Sequence, residues 1–297
     1  MSLNLFLQNL ANGLSLGSLY ALIAIGYTMV YGILRLINFA HGEVFMLATY
    51  FLYYGFLIFH LPWWLSFIIA IALTAVTGIL SERIAYRPLR NAPRISALIS
   101  AIGVSFFLQN TAIVVFTGIP RSVHRPELFK RIFQLGEVRI QGTLFVSVVV
   151  SAIFLAILIF IVYKTKTGLA MRSISTDIET ARLMAVDVDK TISVTFAIGS
   201  ALAAVGGILW SLRFPQIFPF MGMMPGLKAF IAAVVGGIGN IPGAMIGGLF
   251  LGMSEIMFVA LLPGLSGYRD AFIFVILILI LLFKPDGILG KNIQEKV

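Results

Sequence analysis

Nine apolar runs, most of them near the length of a membrane crossing, follow one another along the chain with little polar sequence between them. They fall at about 10–34, 37–59, 63–81, 95–117, 143–163, 190–212, 226–238, 242–262 and 270–284. A helical crossing needs about 20 apolar residues, so the pattern predicts about eight or nine membrane segments. Of 297 residues, 60% are hydrophobic and 11% charged, where soluble domains carry about 25% charged residues. A soluble fold of this size has too little interior for so much apolar surface. The expected fold is all-α, a polytopic transmembrane bundle forming a single domain over residues 1–297. The opening MSLNLFLQNLANG lacks the basic n-region of a cleaved signal peptide, so the first apolar segment is expected to stay as a helix.

The net charge of +9 would suggest nucleic acid in a soluble protein. Here the basic residues sit in short loops, where they fix orientation, and no nucleic-acid partner is expected. The loop with Arg83, Arg87, Arg90 and Arg94 is assigned to the cytoplasm. Alternation then places 118–142 outside, 164–190 inside, 213–225 outside, the N-terminus outside and the tail with Lys284, Lys291 and Lys296 inside. Residues 118–142, which carry Arg121, Arg125, Lys130, Arg131 and Arg139, oppose this assignment and are outvoted by the other two basic segments. The absence of cysteine excludes disulfides, thiolate metal sites and cysteine nucleophiles.

Two apolar stretches are interrupted. RLINFAHGEVFML brings Arg35, Asn38, His41, Gly42 and Glu43 into the first, and VVGGIGNIPGAMIGGLF brings Gly236, Gly237, Gly239, Asn240, Pro242 and Gly243 into a late one. Breaks survive at membrane depth only where protein or a wet cavity satisfies the freed backbone. Paired breaks in the two halves of a chain point to a transport site in a transporter with two pseudo-symmetric halves, each with a broken helix. The alternative is an ordinary surface loop at each. Small residues at helical spacing, Gly199, Ala203 and Gly207 and then Gly243, Gly247, Gly248 and Gly252, predict close helix contacts.

Catalytic signals are poor. Gly13 to Gly17 matches the G-x-S-x-G elbow but opens an apolar helix instead of following a strand. His41, His60 and His124 form no triad order. Neither H-E-x-x-H nor a P-loop occurs, so no catalytic residue, metal site or nucleotide site is expected here, and ATP would have to act on another chain. Intramembrane ionisable residues are functional candidates. Glu255 reads either as a paired structural carboxylate or as a pathway group, and His41 either as a satisfied interior imidazole or as a pathway residue.

The stretch 164–190 contains Thr176-Asp177-Ile178-Glu179, a capping-box pattern, with acidic residues suited to a helix N-terminus. It predicts a short helix over 177–186 with Ile178, Ala181 and Ala185 on one face, capped by Thr176. Such a helix either lies on the membrane or docks into a partner's groove.

NGLSLGSLYALIAIGYTMVYGILRLINFAHGE, GLAMRSISTDIETARLMAVDVDKTISVTFAIGSALAAVGG and GGIGNIPGAMIGGLFLG together resemble the LivH-type permeases of bacterial branched-chain amino-acid ABC importers. The wider family also serves urea, amides and sugars, and the segment Asn38 to Gly42 favours the amino-acid and urea branch. The resemblance implies an inner-membrane permease subunit paired with a paralogous LivM-type permease. Two cytoplasmic ATPase subunits carrying ATP and Mg and an extracytoplasmic substrate-binding protein complete the importer. It implies a pathway at Asn38, His41, Gly42, Glu43, Gly239, Asn240 and Gly243, to which Glu255 is added from its charge. It implies ATPase coupling through the segment holding Arg172, Thr176, Asp177, Glu179, Ala181 and Arg182. The rival from another class is a self-contained secondary transporter or channel.

Overall fold

The computed structural model describes residues 3–90, 92–135 and 138–290; Lys291 and Lys296 of the tail lie outside the described residues. The chain is a helical bundle. Its main helices are α1 (Leu3–Leu34), α2 (His41–Leu57), α3 (Trp63–Ser81), α4 (Arg94–Phe116), a short α5 (Glu127–Lys130), α6 (Gly142–Lys164), α7 (Lys166–Thr176), α8 (Ile178–Leu183), α9 (Val188–Arg213), α10 (Met223–Gly236), α11 (Ile241–Leu261) and α12 (Arg269–Phe283). A π turn, Glu82–Tyr86, and a 3-10 turn, Arg87–Leu89, follow α3, and a 3-10 turn, Pro263–Tyr268, leads into α12.

Among the described residues, seven helical stretches are long and apolar enough to cross a membrane, below the eight or nine read from the sequence. The difference lies in α2, of 17 residues, and α10, of 14. Both begin inside the bundle, after irregular backbone: α2 leaves the ends of its 37–59 run outside the helix, and α10 comes from a run, 226–238, that is itself too short for a crossing. At 1.5 Å per residue α10 is about 21 Å long, short of the ~30 Å hydrocarbon thickness.

The core is built on α1 and α9, whose middle thirds are almost wholly buried. The glycines anticipated from spacing make the contacts. On α1, Gly13 lies against Met253, and Gly17 lies against the backbone of Gly248 and Leu249 on α11. Gly199 of α9 faces Gly26 of α1, and Gly207 faces the carbonyl of Phe45 on α2. Such small-residue faces let backbones approach and gain dispersion where lipid supplies no hydrophobic driving force. The G-x-S-x-G match is therefore part of a packing face, and Ser15 accepts a hydrogen bond from Arg213 (2.9 Å).

Two sets of loops gather at opposite ends. β1 (Arg121–Ser122) pairs antiparallel with β4 (Gln216–Ile217), and Arg125 donates to the carbonyl of Arg213 (2.6 Å), so 118–142 and 213–225 share one end. A hairpin there joins β2 (Ile132–Leu135) to β3 (Val138–Gln141). At the other end Arg87 and Arg90 both pair with Asp189, Arg90 also pairs with buried Glu82, and Glu82 accepts from Ser193 (2.6 Å). The Arg83–Arg94 loop and 164–190 are thereby joined. Exposed Leu, Ile, Val and Phe side chains line the outer faces of α3, α4, α6 and α12, as lipid contact requires.

This grouping makes a labelling prediction. Single cysteines at positions 90 and 176 should react with an impermeant thiol reagent only after the membrane is opened, and one at 124 should react in intact cells. Labelling of 90 and 124 from the same side would contradict the structure itself, whereas exchange of the two sides would invert only the orientation.

Candidate transport site

α1 stops at Leu34 because Arg35 takes a left-handed conformation (φ 52°), uncommon for a residue with a Cβ. Residues 35–40 then turn back into the bundle. Asn38 is buried and accepts from the Tyr86 hydroxyl (2.7 Å). His41 opens α2 with its ring 4.5 Å from that of Tyr27, in space left free by Gly26. His41 and Asn38 thus stand behind the break, and neither lines the cleft that Glu43 faces. Next in the chain, Gly42 meets Gly222 and Gly226: a Cβ on Gly42 would lie 2.7 Å from the Gly222 carbonyl oxygen. The backbone that meets the first break is therefore 218–222, just before α10. The sequence reading had paired it with Gly236–Gly243.

Glu43, in the first turn of α2, faces an apolar cleft of about 260 Å³ whose walls include Phe39, Ile102, Phe106, Met223 and Phe230. The carboxylate is 2% exposed. Its Oε1 accepts from the Gln109 side-chain amide (2.6 Å) and from the Ser105 hydroxyl (3.3 Å). Its Oε2 has no hydrogen-bond partner within the described chain. Sequence reasoning missed Ser105 and Gln109, which are single polar residues inside the apolar run 95–117; only their four-residue spacing, one face of a helix, hinted at them.

Gly239, Asn240 and Gly243 lie elsewhere, in the turn between α10 and α11. Gly237 and Gly239 have φ of 109° and 89°, a region open to glycine at no steric cost. Asn240 caps α11, accepting from the Gly243 N–H (3.4 Å), and donates to the Leu289 carbonyl (2.7 Å). The segment after α12 lies over the turn, with Ile288 and Leu289 donating to the carbonyls of Val235 and Gly236. Gly239 faces Gly32, near the end of α1. This second break is a tight helix hairpin at the end of the bundle and does not line the Glu43 cleft.

Glu255 occupies a third place. It is 3% exposed, accepts from the Tyr20 hydroxyl (2.8 Å) and pairs with Lys228 (2.7 Å). Lys228 also pairs with Asp270 (2.7 Å), and Arg269 lies 3.9 Å from Glu255. Glu255 is thus a paired carboxylate that also faces a cavity. The cluster borders a larger cavity of about 680 Å³ at the end where α12 begins, with Asn12, Trp210 and Arg213 on its walls.

Residues 9–281 match the family model described as "Branched-chain amino acid transport system / permease component". The chain belongs to this permease family. It is 47% identical, over 98% of each chain, to the Salmonella typhimurium high-affinity branched-chain amino acid transport system permease protein LivH. It is 42% identical, again over 98% of each, to the corresponding protein BraD of Pseudomonas aeruginosa. A probable LivH of Methanocaldococcus jannaschii is 30% identical over 93% of this chain and 90% of its own length. No solved structure matches. With its apolar helices, this makes the chain a multi-pass inner-membrane permease.

In this permease the 164–190 segment is two short helices. α7 starts at Thr165, whose hydroxyl accepts from the Gly168 N–H (3.1 Å), and it buries Met171 and Ile174. Thr176 does not cap the next helix: its hydroxyl bonds back to the Arg172 carbonyl. The cap is Asp177, whose Oδ1 accepts from the N–H groups of Glu179 (2.9 Å) and Thr180 (3.1 Å). A carboxylate accepts more strongly than a hydroxyl, and the Thr180 N–H followed by its hydroxyl holds the Asp177 carboxyl below the usual carboxylate range. This cap is therefore complete near neutral pH and weakens as pH falls through that lowered value. Arg172 stacks over Tyr163 (5.4 Å) and borders a small cavity beside Gly239. Glu179 and Arg182 face solvent. The helix is shorter than expected, because Ala185 takes φ 59° and ends it. Ala181 faces inward, 3% exposed, while Leu183 and Met184 at the tip are 87% and 75% exposed. The apolar surface of α8 open to a partner is thus Leu183 and Met184, with Ile178 partly exposed, and not Ala181.

Removing one partner of a buried ion pair leaves an uncompensated charge and costs about 3–5 kcal/mol. Glu255→Ala should therefore lower the thermal stability of the purified permease, and Glu255→Gln, which keeps an acceptor for Tyr20, should lower it less. Equal unfolding temperatures for Glu255→Ala and the parent would show that the Lys228–Glu255 pair does not hold α10 to α11.

Proposed function

We propose that this chain is one permease subunit of an ATP-binding-cassette importer that carries branched-chain and other hydrophobic amino acids inward by alternating access. A paralogous LivM-type permease forms the other wall of the pathway. Two ATPase subunits supply ATP and Mg on the cytoplasmic side, and an extracytoplasmic binding protein delivers the substrate. The observation that carries the reading is the cleft at Gly42 and Glu43, where two helices begin inside the bundle and apolar walls surround one carboxylate. Discontinuous helices around such a site are the usual construction of an intramembrane transport path. The relatives named LivH and BraD support the substrate class. The rim of the cleft, with Phe106 and Met223 well exposed, is open on the side where a second permease would close it.

Coupling is assigned to α7 and α8, with Arg172, Thr176, Asp177, Glu179, Ala181 and Arg182 in place around them. Contact with the ATPase falls to Leu183 and Met184, a small apolar tip among polar neighbours that fits a partner's groove.

Reconstituted vesicles test both statements. Uptake of leucine should require ATP, the ATPase, the second permease and the binding protein together. Uptake by this chain alone along an ion gradient would overturn the importer reading, and ATP-driven uptake of urea or a short amide in place of leucine would move it to another branch. Leu183→Glu with Met184→Glu should reduce ATPase co-purification tenfold or more and leave membrane insertion unchanged. Ala181→Trp should instead damage the α8 to α9 packing. Normal ATPase retention by the double variant would move the contact to the Arg83–Arg94 loop.

A further inference from the structure

We propose that Glu43, oriented by Gln109 and Ser105, receives the ammonium group of an apolar substrate, and that the aromatic and aliphatic walls of its cleft receive the side chain. The proposal rests on the reading of this cleft as part of the pathway.

The argument begins with what Glu43 lacks. Oε1 has two neutral donors, from Gln109 and Ser105. Oε2 has none, although the residue is 2% exposed. A buried carboxylate needs a compensating charge or donor, and no lysine or arginine lines the cleft. Contrast Glu82 and Glu255, each of which has a cation of the same chain. A group entering the cleft from outside the chain would supply the partner that Oε2 lacks.

Its chemistry follows from the surroundings. A metal ion asks for several oxygen ligands, and the cleft offers a single carboxylate beside Tyr27, Ser105 and Gln109. A guanidinium is best met by two parallel acceptors, and only Oε2 is open. A primary ammonium is compact, carries a full charge and has three donors, so it suits one open oxygen. The volume, about 260 Å³, is below the roughly 300–1,000 Å³ of drug-sized pockets, which limits the guest to a small molecule. Because the cleft has no cation, nothing in it holds the carboxylate of an amino acid, and that group remains at the open rim. Recognition then rests on ammonium plus apolar chain, and it excludes urea and amides, which carry no charge.

The test uses the native lack of cysteine in this chain. Ile102 lines the cleft and is partly exposed. With Ile102→Cys in the assembled complex, the rate of maleimide labelling on this chain is followed with leucine, 3-methylbutylamine or 3-methylbutanoate added. Leucine and the amine should slow labelling severalfold and saturably, and the acid should have no effect. Glu43→Gln, nearly isosteric, should abolish the protection while the complex still co-purifies. Equal protection by the acid, no protection by the amine, or protection that survives Glu43→Gln would each overturn the proposal. The amine and acid comparison stands even where Glu43→Gln does not assemble. Failure of ATP-driven uptake in the unmodified complex would instead strike the importer reading.

Discussion

Gly42 lies against the carbonyl of Gly222 and close to Gly226, and the depth at which α2 and α10 begin follows from that contact. A side chain at any of the three would separate the two helix starts. Their irregular approaches, 35–40 and 214–222, would then lose the protein surroundings that irregular backbone needs at membrane depth. With the contact made, the approaches are satisfied locally: His41 N–H donates to Asn38, Met221 to Phe218 and Gly226 to Gly222, while β4 pairs with β1. The same contact sets Glu43 in the first turn of a helix that starts inside the bundle, where the positive end of the helix dipole favours an anion. The cleft exists because two helices start early.

Three buried carboxylates show how differently a bundle can compensate a charge. Glu82 has Arg90 and the Ser193 hydroxyl, and joins a loop to α9. Glu255 has Lys228 and the Tyr20 hydroxyl, and joins α10, α11 and α1. Both are closed arrangements in which loss of one partner strands the other. Glu43 has neutral donors on one oxygen only. Burial alone does not distinguish the three; the state of the second oxygen and the sign of the neighbours do.

Much of this was legible in the sequence. Apolar runs gave the class of fold, glycine spacing marked faces of α9 and α11 as close helix contacts without naming their partners, and alternation from the basic Arg83–Arg94 loop grouped the loops as the structure groups them. The resemblance led to the family. Three features were not legible, each for a physical reason. Hydropathy does not register where a helix starts within an apolar run, so α2 read as a full crossing, the short run 226–238 was counted as a pass, and the segment 218–222 was invisible as a break. Glycine and proline mark a turn without marking its depth, so Gly236–Gly243 read as equivalent to Asn38–Glu43. A Thr-Asp pair offers two cap acceptors, and only the backbone decides: Asp177 is extended, with φ −157°, and takes the cap, while Thr176 is the last residue of α7. That one-residue shift rotates α8 and turns Ala181 inward.

α9 runs from the 164–190 segment to the opposite end of the bundle, packing on α1, α2 and α3 as it goes. Its first turn is held by Arg87 and Arg90 through Asp189, Ala181 of α8 packs beside it, its middle lies on Gly26 and on the Phe45 carbonyl, and its last residue, Arg213, reaches Ser15. The contacts differ in stiffness. Those in the middle are backbone against backbone through glycine, and close-packed interiors have no slack to deform gradually. The polar contacts at the first turn are of two kinds: Asp189 is 46% exposed, where a pair is worth about 0–1 kcal/mol, while buried Glu82 holds both Arg90 and, on α9, Ser193. The junction of the Arg83–Arg94 loop with the start of α9 is thus polar throughout, one half exposed and one half buried, whereas α9 meets α1 and α2 through glycine and backbone with no charge between them.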